Sequence, residues 1–298
     1  MIKAIFEYQF MQNAFFACIL ASIVCGIIGV IIVEKKLVMM SGGIAHTSYG
    51  GVGLGYLLGI EPIIGAFLFS FAAALGIGYI KRKGGVRSDI IIGLFWSLGM
   101  ALGILFVALM PGYPPDLSSY LFGNILSVTK ANLRLMLFLS GIVALVIITL
   151  FNDWKAYLFD EEFASIIGIK TTFLEYLLLI LIAMTVVVLI RVAGIILVLA
   201  LLTAPAATSE MLTTNLKRRM IYSVILGNLY CLAGLWLSYE LNIASGAAIV
   251  ILSVTCYLVF YVVHSIIDKV RNRKLAACNG DSDKCRQGCG CSEHAEEN

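Results

Sequence analysis

The sequence predicts an all-α polytopic membrane protein of about eight to nine transmembrane helices. Of its 298 residues, 60% are hydrophobic and only 13% are charged, about half the charged fraction of an ordinary soluble domain. The mean hydropathy is +0.97. Apolar runs long enough to cross a bilayer, roughly 20 residues at 1.5 Å each, recur along nearly the whole chain. The net charge of +3 is no nucleic-acid signature, and no nucleic-acid partner is expected. The basic residues sit in short clusters between apolar runs, where membrane topology uses them.

The expected spans are 12–33, 42–59, 62–80, 89–110, 131–151, 173–190, 192–212, 219–239 and 245–267. The first is too long for a signal-peptide core and lacks a convincing small-residue cleavage site, so it reads as a mature helix. The second is short and glycine-rich and reads as a broken or partial helix. The apolar stretch from Phe173 to Thr208 is too long for one crossing. Its interruption at Arg191-Val-Ala-Gly194 reads as a tight turn at the membrane surface, because an Arg at the bilayer centre costs at least about 2.5 kcal/mol. The membrane domain thus covers 1–267, and a basic segment with a Cys-rich tail covers 268–298.

Basic clusters orient the spans. Lys35-Lys36, Lys81-Arg82-Lys83 with Arg87, Lys217-Arg218-Arg219 and the run from Lys269 to Lys274 all fall on one side with this span set. That side is expected to be cytoplasmic, with the N-terminus outside and the C-terminus inside a cell membrane. The loop 110–124 then lies outside and the loop 152–172 inside.

The inner loop carries "DEEFASIIGI" (160–169). Asp160, Glu161 and Glu162 open it, Phe163, Ile166 and Ile167 share one face of a short helix with Ala164 among them, and Gly168 stops it. Such a helix either rests on the membrane surface or docks a soluble partner. The pattern GxxxxGK[ST] is absent, so ATP is not held by that mechanism. With three histidines in the chain, and no visible nucleophile–base set, an intramembrane enzyme is disfavoured, and no tightly bound cofactor is expected.

Three features carry chemistry. His46 lies in "MSGGIAHTSYGGVGLG" (40–55), and its helical face holds Met39, Gly42, Gly43, Tyr49, Gly50 and Gly53. Either the small residues let two membrane helices approach while His46 bonds across them, or an intramembrane imidazole faces a pathway. Neutral imidazole suits divalent transition metals. Glu210, beyond Pro205, either lines a pathway or is a helix-end acid paired with Lys217 or Arg218. The tail holds Cys278, Cys285, Cys289, Cys291 and His294. Its spacing matches no standard zinc module, yet cytosolic thiolates with an imidazole are soft ligands for zinc or copper(I); the alternative is unstructured reactive thiols. Cys18, Cys25, Cys231 and Cys256 sit in apolar spans and read as small packing residues.

The chain also resembles a known family. Residues 42–59 ("GGIAHTSYGGVGLGYLLG"), 87–109, 119–128 ("SYLFGNILSV"), 159–208 and 234–252 are similar to the membrane permease subunit of manganese/zinc/iron ABC transporters, over about 12–265. The resemblance implies a fold related to the vitamin B12 and siderophore importers, and a homodimer or paired permease. It implies a separate cytoplasmic ATP-binding subunit docked by 160–169 as coupling helix, and an extracytoplasmic metal-binding protein. One departure stands out. The family writes Gly-Asp-Ala-Leu-Ser-His, with an acid one turn before the histidine; here Gly42 replaces the acid and Ala45 the serine. Met39, Tyr49, a water or Glu210 would have to compensate, or the cargo differs. Loss of a carboxylate weakens manganese more than zinc, so zinc import is expected over manganese. The alternatives are a permease for a non-metal or chelated substrate, with His46 in helix packing, and a metal-sensing membrane protein working through its tail.

Overall fold

The computed structural model describes residues 7–84, 88–111, 118–123, 125–241 and 243–279. These are helical nearly throughout: α1 (Gln9–Glu34), α2 (Val38–Leu58), α3 (Pro62–Lys83), α4 (Ser88–Ala108), α5 (Ser118–Phe122), a 3-10 turn (Ile125–Ser127), α6 (Lys130–Thr149), α7 (Phe151–Phe159), α8 (Glu161–Ile166), α9 (Thr171–Leu212), α10 (Leu216–Leu241) and α11 (Ser245–Asn279). Two compact units divide the chain, Met1–Tyr257 and Leu258–Asn298.

Local chemistry sets the helix ends. Gly59 closes α2 in the left-handed region at φ +65, and Pro62 starts α3, where its missing N–H is no loss. Thr129 caps α6 by accepting from the Asn132 N–H at 3.3 Å. Asp160 caps α8, its Oδ1 accepting from the N–H groups of Glu162 at 2.9 Å and Phe163 at 3.1 Å. Gly168 leaves that helix at φ +90.

Among the described residues, seven helices are long and apolar enough to cross a membrane, and α9 among them has 42 residues. A straight helix of that length would run about 63 Å, twice the hydrocarbon thickness. Gly194, at φ 77 and ψ 159, breaks it. Near the start of α9, Glu175 pairs with Lys81 and Arg82 at 2.8 Å each. Past its other end, Arg219 donates to the Thr213 carbonyl at 2.7 Å and pairs with Glu34, beside Lys35, which pairs with Glu161 at 3.1 Å. Between them, Arg191 faces Glu61 at 3.5 Å, in the link between α2 and α3. Both ends of α9 therefore lie at the Lys35 end of the bundle and its middle lies at the Glu61 end. It is a hairpin of two crossings, as Arg191–Gly194 predicts.

Gly194 allows the turn because its φ is positive and nothing but backbone fits beside it. It abuts Gly123, itself at φ +68, and a Cβ on either would collide with the other's main chain. The end of α5 and the α9 hairpin thus lock through two glycines.

The second span differs from expectation. Far from broken, α2 is a continuous 21-residue helix, about 31 Å long. Small residues dilute its hydropathy, but it is shielded on most sides, with 14 of its 21 residues buried. Counting α2 and both arms of α9, the described residues give nine crossings.

The core gathers around α1 and α9, whose largest buried side chains include Met11, Ile28, Ile31 and Ile32. Cys18, Cys25 and Cys231 are buried free thiols in it, with Ser22 Oγ donating to Cys231 Sγ at 3.6 Å; Cys256 is half-buried. In the second unit, Asp268 holds His264 Nδ1 at 3.0 Å and Arg271 at 2.8 Å, one helical turn to either side.

Candidate functional site

Helix α2 is wedged between α3 and α4, and its glycines make this possible. A Cβ on Gly51 would strike the Gly65 carbonyl of α3, and one on Gly53 would come 2.5 Å from the Gly103 carbonyl of α4. The glycines are therefore filled by neighbouring backbone, and they clear no open space. Thr47 Oγ1 seals the α2–α4 seam, donating to the Gly43 carbonyl at 2.7 Å and to the Phe95 carbonyl at 3.1 Å. Close approach of this kind is how membrane helices gain dispersion contact without a hydrophobic driving force.

His46 projects half-buried from this seam. Its Nδ1 lies 3.1 Å from Met100 Sδ, and its ring stacks on the Trp96 indole, centroids 3.9 Å apart and planes 12° apart. Trp96 and Met100 are one turn apart on α4, so they present to one face. The same indole fills the place where a side chain at position 42 would grow: a Cβ on Gly42 would sit 3.2 Å from Trp96 Cζ3. One indole plane and one thioether thus flank the imidazole, where an acid at position 42 would have put a carboxylate.

The other candidates lie apart. Met39 is 54% exposed, in the first turn of α2. Tyr49 is buried against Gly103. Glu210 is exposed in the last turn of α9, at the Lys35 end. The expected pairing of Glu210 with Lys217 or Arg218 is absent among the described residues. Instead, Asn215 Oδ1 accepts from the N–H groups of those two residues at 3.1 and 3.4 Å and starts α10. No three His, Cys, Asp or Glu side chains gather to hold a metal among the described residues. Cys278 falls in the last turn of α11, its side chain not described; Cys285, Cys289, Cys291 and His294 lie outside the described residues.

Two residues central to the site were not singled out from the sequence, Trp96 and Met100. Their i, i+4 spacing in "WSLGM" was a visible signal, but only packing aims them at α2. Glu175 was missed too. It is 4% exposed and held by Lys81 and Arg82, and an acid inside the run "FLEYLLL" needs such partners.

At the Lys35 end, α8 and the residues flanking it offer an apolar face. Phe159 is 90% exposed and Ile166 83%, with Phe163 and Ile167 half-open beside them, while Ala164 is fully buried and anchors the helix. Lys35 straps it by pairing with Glu161, and its Nζ also lies 3.5 Å from the centroid of the Tyr157 ring. Burial of Tyr157 pushes its phenol well above the usual range, so it stays neutral under that cation. At the Glu61 end, the Tyr56 and Tyr120 hydroxyls meet at 3.1 Å. They line a cavity of about 360 Å³ together with Glu61 and Arg191.

Comparison with known proteins gives this architecture its place. An uncharacterized membrane protein of Synechocystis sp. is 41% identical over 259 residues, covering 87% of this chain and 92% of the relative. The manganese transport system membrane protein MntC of Listeria monocytogenes is 32% identical over 260 residues, covering 87% and 92%. Among solved structures, PsaBC from Streptococcus pneumoniae in complex with Fab superposes with a TM-score of 0.79 at 32% identity, over 87% of this chain and 94% of that one. The profile of the ABC 3 transport family matches residues 7–264, nearly the whole described bundle, and the chain belongs to that family.

Proposed function

We propose that this chain is the transmembrane permease of an ATP-binding cassette importer for a divalent metal ion, with zinc favoured over manganese. The observation that carries the metal choice is the pairing of His46 Nδ1 with Met100 Sδ at 3.1 Å. An imidazole and a thioether are borderline and soft donors, and the carboxylate that manganese prefers has no counterpart at Gly42. Relatives named for manganese transport support the general class and leave the ion to this local chemistry. Alternating access would carry the ion past His46 while a separate subunit hydrolyses ATP.

Several features support the remaining assignments. The Lys35 end carries Lys35, Lys81, Arg82 and Arg219, each held by an acid, and the positive-inside tendency makes that end cytoplasmic. The α8 segment, Asp160 to Gly168, is then the coupling helix, its exposed Phe163 and Ile166 seated in the ATPase subunit. An extracytoplasmic metal-binding protein would deliver cargo to the Glu61 end, and two permeases would form the path. The tail ligands Cys278, Cys285, Cys289, Cys291 and His294 would bind zinc accumulated inside and slow the transporter. Deleting 278–298 should then raise uptake at high internal zinc.

The deciding experiment is ATP-driven uptake by the reconstituted complex with zinc, manganese and iron(II), comparing the parent with His46→Ala. Zinc uptake lost in the variant supports the proposal. Manganese uptake with zinc ignored would overturn the ion preference. Full metal uptake by His46→Ala would assign His46 to helix packing and favour a non-metal or chelated substrate.

A further inference from the structure

The basic end of the bundle holds a bipartite cleft. Its deeper half is an opening of about 650 Å³ lined by α1, α6 and α10, with Ile23, Ile27, Ile147, Ile148, Val224 and Ile225 on its walls. Its outer half is about 810 Å³ and is lined by Glu34, Asn152, Lys155, Asn215, Lys217 and Arg219. Phe151 and Lys217 line both halves, so the two spaces meet at that pair.

Chemistry changes along the cleft in the order of a phospholipid. From Glu34 at the rim to Ile23 on the deep wall, 11 residues of α1 span roughly 16 Å. Apart from Lys217 at its mouth, the side chains lining the deeper half are all apolar, which suits an acyl chain in the half-bilayer. The outer half places three cations, Lys155, Lys217 and Arg219, among apolar side chains that include Leu158, Phe159 and Phe163. Its one acid, Glu34, is committed to Arg219. Lys155 and Lys217 are exposed and form no ion pair among the described residues. Two free ammonium groups at the top of an apolar slot match a phosphate headgroup that carries net negative charge, whose attraction to lysines near a membrane surface is well established. A zwitterionic headgroup would bring its own cation towards them.

We propose that this cleft is a binding site for one anionic phospholipid of the leaflet at the Lys35 end, with its headgroup on Lys155 and Lys217 and one acyl chain between α1, α6 and α10. A lipid there bridges the membrane helices to α7 and to the start of α10, beside Phe159 and Phe163 of the α8 region, which also line the outer half. Occupancy would fix the position of that region.

The test uses the full chain, purified with its ATPase subunit, delipidated, and given phosphatidylglycerol or phosphatidylcholine before intact-complex mass spectrometry. The parent should retain phosphatidylglycerol in preference to phosphatidylcholine. Each lysine replaced should weaken phosphatidylglycerol about fivefold, so Lys155→Gln/Lys217→Gln should lose roughly twenty-five-fold with phosphatidylcholine unchanged. Both lysines are exposed, so the double variant should elute and unfold like the parent. Ile148→Trp, which fills the apolar half from an exposed position, should lower retention of both lipids. Equal retention of the two lipids by the parent, or unchanged phosphatidylglycerol binding in the double variant, overturns the proposal. Full displacement by inorganic phosphate would make it a free-anion site. Loss of the ATPase subunit from the double variant, with lipid binding intact, would assign the lysines to subunit docking.

Discussion

Trp96 lies flat on His46, ring centroids 3.9 Å apart, and the same indole occupies the space in front of Gly42. One side chain thus both covers the imidazole and blocks the place from which a carboxylate would reach it. An acid at position 42 therefore meets the indole, which must give way before a carboxylate can reach the imidazole. Gly42→Asp alone should gain no manganese uptake, while Gly42→Asp/Trp96→Ala should shift the transported ion towards manganese. Competition uptake of zinc against manganese in proteoliposomes measures this. A manganese gain in the single variant would contradict the blocking role of Trp96.

Met100 contributes a sulfur 3.1 Å from His46 Nδ1. Met100→Leu conserves volume, so stability should change by less than about 1.5 kcal/mol. Zinc uptake at limiting concentration should nevertheless fall roughly tenfold, the effect of a lost ligand-shell partner. Radiotracer uptake and thermal unfolding of the same preparation separate the two effects.

Gly51 and Gly65 meet main chain to main chain. Gly65→Val should push α3 from α2 and destabilise the protein by about 1–3 kcal/mol or more. Gly93 and Gly141 have nothing within 4 Å of an added Cβ. Alanine at either should be neutral or stabilising by up to about 1 kcal/mol in a helix. Melting temperatures in one detergent compare the three variants.

Glu175 and Glu161 are both ion-paired, but burial separates them. The Glu175 side chain is 6% exposed and accepts from two cations, so Glu175→Gln should destabilise by about 1–3 kcal/mol. The Glu161 side chain is 48% exposed, and Glu161→Gln should change stability by less than about 1 kcal/mol. Thermal unfolding at two salt concentrations should show the smaller effect vanishing at high salt.

Ile166 is 83% exposed and supports nothing in the chain. Ile166→Asp should leave the melting temperature unchanged and reduce co-purification of the ATPase subunit severalfold. Retained co-purification with normal transport would remove α8 as the coupling helix.

Apolar content and periodic basic clusters were enough to read a multi-span α-helical protein, because lipid leaves a backbone no alternative to internal hydrogen bonding. The turn before Gly194 was legible for the same reason, since Arg191 cannot rest at the bilayer centre. The amphipathic segment 160–169 was legible from its own period and cap. The continuity of α2 was not, because its low hydropathy is compensated by α3 and α4, which are distant in sequence. Nor was the setting of His46. Its neighbours on α2 were known from helical spacing, but Trp96 and Met100 come from α4 through a seam that Thr47, Gly50 and Gly53 make close. Sequence determined that an imidazole would stand in the membrane without its acid. Tertiary packing alone decided that an indole would take the vacated space and a thioether would face the ring.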